Sequence, residues 1–164
     1  MKRYIYYLKR FIFTSIAKKN ITSHGNALNV NFLSKFNNNT FLGDNCNFNG
    51  FNVSGKGKIT IGNNFHSGKD IKLITQNHNY KGEKIPYDDS YIIKDITIGD
   101  NVWIGSHVII LGGVHIKEGA IIQAGSVVVN DIDYCGIAGG SPAKVFAYRD
   151  KIKYEELKRK GRFH

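Results

Sequence analysis

From Ile98 the chain advances in steps of six: IGDNVW, IGSHVI, ILGGVH, IKEGAI, IQAGSV, VVNDID. The first position is aliphatic every time, at Ile98, Ile104, Ile110, Ile116, Ile122 and Val128. The fifth is small or β-branched, at Val102, Val108, Val114, Ala120, Ser126 and Ile132. A helix would space its apolar residues three and four apart, so this period excludes one. A short strand followed by a tight turn consumes six residues, and three such units make one triangular coil of about eighteen. Coils of this kind stack at the strand spacing of roughly 4.8 Å. No coil can bury its apolar side alone, and each needs its neighbours. The repeat therefore predicts an all-β solenoid. Gly, Asn and Asp recur after the aliphatic position, as in Ile98-Gly99-Asp100-Asn101, where turns tolerate positive φ.

A second run starts at Ile61 (IGNNFH, SGKDIK, LITQNH). A weaker one places Val30, Phe36, Leu42 and Phe48 six apart with Asn-rich filling, and one extra residue between Ser54 and Ile61 breaks the phase. Residues 79–94 (NYKGEKIPYDDSYIIK) have no beat and hold one of the two prolines, so they read as a loop excursion. The expected organisation is a basic amphipathic helix over 1–20, a solenoid over 21–147 interrupted by that loop, and a helical tail over 148–164.

The segments IGNNFHSGKDIKLITQNH, ITIGDNVWIGSHVIILGGVHIKEGAIIQAGSVVVNDI and AGGSPAKV resemble the hexapeptide-repeat acyltransferases, over about residues 30–147. Within that family they are most similar to the galactoside and maltose O-acetyltransferases and their capsule and lipopolysaccharide relatives. The resemblance implies a left-handed parallel β-helix, against the usual crossover hand. It further implies acetyl-CoA as co-substrate, a sugar acceptor for which nucleotide- and lipid-linked forms are both open, and a homotrimer with sites between adjacent prisms.

Carried over residue by residue, the family pattern makes His78 the catalytic base. His78 closes a hexapeptide directly before the loop, 17 residues after the aliphatic residue of an IGxN unit at Ile61. An imidazole that titrates near neutrality can take a proton from a sugar hydroxyl as it attacks a thioester, so no acyl-enzyme is needed. Trp103 and Ser106, in NVWIGSHV, match a segment beside the active site: the serine position holds the thioester oxygen and the tryptophan shapes the cleft. Ala124, in QAGSVV, matches a position at the pantetheine arm. Lys144, in GGSPAKV, matches a basic position at the coenzyme A phosphates. Two departures are visible. Val129-Asn130 stands where relatives often carry Thr-Lys, and Ala147 stands where they often carry Arg. No carboxylate to orient His78 can be matched, with Glu83, Asp88, Asp89 and Asp95 all near in sequence. His66, His107 and His115 fall at outward or turn positions of their hexapeptides.

Charge narrows the remaining classes. The formal excess is +10, yet residues 21–143 hold nine basic and ten acidic side chains. Residues 1–20 hold six basic residues and no acid, and residues 144–164 hold eight basic and three acidic ones. A nucleic-acid binder would spread Lys and Arg with stacking aromatics across its scaffold, so nucleic acid is not an expected partner. Cys46 and Cys135 show neither zinc spacing nor a disulfide framework. No metal is expected, because a carbonic anhydrase on this fold would need three converging His ligands. A cytoplasmic protein is expected, with no membrane span and with peripheral membrane contact open through residues 1–20. In that segment Ile5, Leu8, Ile12 and Ile16 recur at helical spacing with Tyr4, Tyr7 and Phe11 alongside. A helix capping the first coil and a helix lying on lipid both fit. Three other functions stay open: N-acetylation of a nucleotide-linked amino sugar, acetylation of an antibiotic, and a non-catalytic binding module.

Overall fold

The computed structural model describes residues 2–164, with side chains from Tyr4 onward. Met1, the first residue of the expected 1–20 segment, lies outside the described residues. The chain forms a left-handed parallel β-helix of about six turns between two helices, α1 (Lys2–Lys18) and α2 (Lys151–Arg159).

Strand register sets the coil length. Ile104 pairs with Ile122, Ile110 with Val128 and Asn29 with Asn47, all parallel and 18 residues apart. Both repeat positions point inward. All six aliphatic positions from Ile98 to Val128 are buried, as are all six partners from Val102 to Ile132. The weaker early beat is equally real, since Val30, Phe36, Leu42 and Phe48 are buried too. There the prism is filled by rings: Phe48 packs against Phe36, Phe51 and Phe65 with centroids 5.0 to 5.2 Å apart. Ser67 occupies a ladder position of the second run and is buried, its hydroxyl accepting from Asn49 N.

The corners divide labour between residue types. Asn45, Asn64 and Asn101 carry the positive φ, at 53, 54 and 59°. Their side chains join successive coils: Asn45 donates to Asn64 at 3.1 Å and Asn64 to Asn101 at 2.9 Å. The glycine before them serves another purpose than the expected positive φ. A Cβ on Gly99 would stand 2.7 Å from Glu118 N of the next coil, so the residue is small because the coils approach closely there.

Three departures from regular coiling position everything else. Residues 79–94 are the tip and return limb of a hairpin, in which Tyr91–Ile93 pairs antiparallel with Gln76–His78. The final strand, Ala143–Tyr148, folds back antiparallel on Gly136–Gly140. Beyond it α2, capped by the Asp150 carboxylate on Lys153 N, lies along the asparagine corner. There Tyr154 and Lys158 reach Glu118 at 2.9 and 2.6 Å, and Asn45 donates to the His164 carbonyl at 2.7 Å.

Helix α1 covers the open edge of the first coil. Thr14 Oγ1 accepts from Val30 N at 3.0 Å, filling a donor that no further coil can satisfy. Ala17 is buried at the contact and Phe13 packs on the core. Among the described residues no helix is long and apolar enough to cross a membrane.

Candidate active site

His78 leaves the prism at one corner. It ends the strand Gln76–His78 at the base of the hairpin, directly opposite Tyr91. Its ring stacks on Tyr87 at 3.9 Å between centroids, with planes 17° apart, and tilts against Tyr91 at 5.0 Å. Two tyrosines of the beatless segment thus hold the imidazole between rings. Three of the four nearby carboxylates are occupied elsewhere: Asp88 accepts from Ser90, Asp89 from Lys84, and Asp95 from Lys58 N. Ring packing fixes this histidine, a device no repeat pattern could announce.

Beside it opens a polar cleft of about 620 Å³, lined among others by Lys35, Asn38, Asn52, Ser54 and Gln76. Side chains two apart on a strand share a face, so Gln76 and His78 point the same way. Gln76 Oε1 is buried with no hydrogen-bond partner. A buried acceptor of that kind is costly unless a donor completes it.

Ser106 and Ala124 lie along a different corner, one coil apart, with the Ser106 carbonyl accepting from Gly125 N at 2.9 Å. The Ser106 hydroxyl accepts from Lys69 N at 3.0 Å, which fixes its oxygen and leaves its own proton to donate. Ala124 is exposed, and nothing lies within 4 Å of where a Gly125 Cβ would stand. Lys144, also exposed, pairs with Gly139 on the next coil of this edge. A small, open edge ending in a cation suits a thin pantetheine arm with phosphates at its end. Trp103 stands on the face leading to this edge, between His66 and Ile121, and is half exposed.

Trp103 also lines a second cleft, of about 450 Å³, between that face and the C-terminal tail. His66 and His164 meet edge to face inside it at 5.4 Å. Burial, with His164 adding to it, lowers the pKa of His66 from the ordinary histidine value. The sequence placed His66 at an outward position but gave no sign that the tail covers it, because the two residues are 98 apart. His107 sits at positive φ, 3.6 Å from Asp70, and His115 faces outward on its strand. Among the described residues no group of three or more His, Cys, Asp or Glu could hold a metal ion.

The structure therefore joins Ser106, Ala124 and Lys144 on one edge, with Trp103 adjoining, and puts His78 on another. The face between those corners runs from Asp70 to Thr75, six residues whose five steps span roughly 17 Å of extended chain. Within one chain His78 does not meet Ser106.

A solenoid of six-residue units with an open, glycine-rich edge and an excursion carrying a histidine defines a hexapeptide β-helix. The family described as bacterial transferase hexapeptide (six repeats) matches residues 95–130. The galactoside O-acetyltransferase of Escherichia coli (strain K12) is 39% identical over 99 residues, 58% of this chain and 48% of that protein. A provisionally assigned acetyltransferase of Schizosaccharomyces pombe (strain 972) is 42% identical over 118 residues, 71% of this chain and 51% of that one. A galactoside acetyltransferase solved in complex with coenzyme A superposes with a TM-score of 0.74 at 29% identity, covering 85% of this chain and 71% of its own. The chain spans about half the length of the curated relatives it matches. Its repeats and its fold are similar to those of the hexapeptide-repeat transferases.

Proposed function

We propose that this chain is an acetyl-CoA-dependent acetyltransferase acting on a sugar hydroxyl, with surface polysaccharide as the destination of the product. The observation that carries it is the placement of His78 against two tyrosine rings, two residues along the strand from Gln76, which lines a polar cleft. Acetyl-CoA supplies an activated thioester when bound. His78 accepts the acceptor hydroxyl proton as that oxygen attacks the acetyl carbonyl, and returns a proton to the departing sulfur. Ser106 donates its hydroxyl proton toward the carbonyl oxygen, where negative charge develops. Ala124 leaves room for the pantetheine arm, Lys144 meets phosphate, and Trp103 walls the cleft.

The separation of His78 from Ser106 supports a trimer. Three prisms side by side bring the His78 corner of one copy against the Ser106 edge of the next, so that each site is shared. The coenzyme A-bound galactoside acetyltransferase, at 29% identity, supports the co-substrate and the sugar class.

His78→Ala tests the assignment. Acetyl transfer to sugar acceptors should fall at least a hundredfold, the lower end of what a positioned base contributes, with the oligomer and thermal unfolding unchanged. Turnover within a few-fold of the parent would remove His78 from the mechanism.

A further inference from the structure

Helix α1 has two working faces, and only one meets the solenoid. Tyr6, Phe13, Thr14 and Ala17 form the docked side: Tyr6 donates its hydroxyl to Asn31 at 2.9 Å, Thr14 accepts from Val30 N, and Ala17 is buried. At about 100° per residue, the opposite arc of roughly 140° holds Tyr4, Ile5, Leu8, Phe11, Ile12 and Ile16. Tyr4 is 82% exposed and Phe11 72%, and the four aliphatic residues lie between 41 and 54%. Ser15 is the one polar residue of that arc, which contains no charge. These six side chains present on the order of 700 Å² of surface, more than a soluble monomer ordinarily leaves in one apolar patch.

The surroundings of this patch select its occupant. Residues 1–20 carry Lys2, Arg3, Lys9, Arg10, Lys18 and Lys19 and no acidic residue. Lys9 and Lys18 are exposed and, by the same helical spacing, border the apolar arc on its two sides. Packing this face against the same face of a second copy would bring two such cationic segments together without a counter-charge. An anionic bilayer surface offers what both features need: acyl chains for the apolar arc and headgroups for the lysines, whose stems reach outward. Because α1 caps the first coil, its free side faces away from the prism.

We propose that α1 is an interfacial anchor, docked by one face on the β-helix and by the other on a membrane surface rich in anionic lipid. The helix lies in the interface rather than across it, since no helix among the described residues is long and apolar enough to span. One helix of this kind gives weak, reversible, salt-sensitive binding.

The experiment is flotation of the full chain with vesicles of phosphatidylcholine alone or with about one third phosphatidylglycerol. Binding should require phosphatidylglycerol and weaken in high salt. Leu8→Gln/Ile12→Gln, at exposed positions, should weaken it at least tenfold while thermal unfolding and oligomer size stay as in the parent. Lys9→Gln/Lys18→Gln should weaken it less and flatten its salt dependence. Absence of binding to the anionic vesicles overturns the proposal, and so does undiminished binding by the Leu8/Ile12 variant. A change of oligomer size in that variant without lipid also overturns it, because the face would then be an interface between copies.

Discussion

Gly105 and Gly125 offer the sharpest test of how the coils are stacked. Both flank the Ser106–Ala124 edge, but for opposite reasons. A Cβ on Gly105 would stand 2.5 Å from Ala124 N, 2.9 Å from Ala124 Cα and 3.0 Å from Ile122 O, all backbone atoms of the next coil. Gly125 has φ +74° with nothing within 4 Å of a Cβ. Gly105→Ala must therefore open the corner by about 0.9 Å to restore ordinary contact. That stretches the bonds from Gly105 N to Ile122 O (2.8 Å) and from Gly125 N to Ser106 O (2.9 Å) beyond useful length. At about 1 kcal/mol net for each bond, the loss is about 2 kcal/mol. Loosened packing of Ile104 on Ile122 adds about 1 kcal/mol. Gly125→Ala meets only left-handed backbone strain, about 1 kcal/mol. For a chain of this size 1 kcal/mol moves the melting temperature by roughly 3 °C, so circular dichroism should record losses of about 9 °C and 3 °C. Equal shifts for the two variants would refute the close-stacking argument. The same opening moves Ser106 relative to Ala124, so KM for acetyl-CoA should rise in Gly105→Ala and stay near the parent value in Gly125→Ala.

Other consequences can be checked as directly. Tyr87→Ala removes the ring stacked on His78 and should lower kcat about tenfold with KM for acetyl-CoA unchanged, because the imidazole loses its orientation. Burial pushes Glu118 up, but its bonds to Lys158, Tyr154 and Asn101 outweigh that and hold its carboxyl below the usual range. A carboxyl depressed in the folded state adds stability above its unfolded value, near pH 4.3, and loses it as pH falls through the lower folded value. Hydrogen-exchange protection factors in α2 should fall over that acid window, and in Glu118→Gln they should already be low at pH 7. Burial, chiefly, pushes the Cys46 thiol up to about 12, so a thiol reagent at pH 8 should leave it unmodified until the protein is unfolded.

The fold was legible because a six-residue period has one structural solution at this length. Each aliphatic position read from the sequence lies in the prism, down to Ser67, where a hydroxyl is tolerated because Asn49 N bonds it. The neighbourhood of Ser106 and Ala124 was legible for the same reason. They stand 18 residues apart, which is one coil, and coil neighbours touch. His78 was legible only as a position in the beat. The rings that hold it come from the one stretch without a beat, and the antiparallel pairing of Gln76–His78 with Tyr91–Ile93 brings them to it. The contact of His66 with His164 was not legible, because nothing in a local pattern encodes a contact across 98 residues.

Helix α1 marks the division most clearly. By itself the sequence determined an amphipathic helix with basic flanks and a solenoid whose first coil needs a cover. The pattern alone leaves the apolar stripe of Ile5, Leu8, Ile12 and Ile16 free to face either the first coil or a lipid surface. The tertiary structure turns it away. At the open edge an unpaired backbone N–H at Val30 is better met by the Thr14 hydroxyl than by any aliphatic side chain, and small Ala17 lets the helix approach closely. Periodicity fixes what repeats along a chain. Which face of a non-repeating element docks is settled by the particular backbone groups that the last coil leaves unsatisfied.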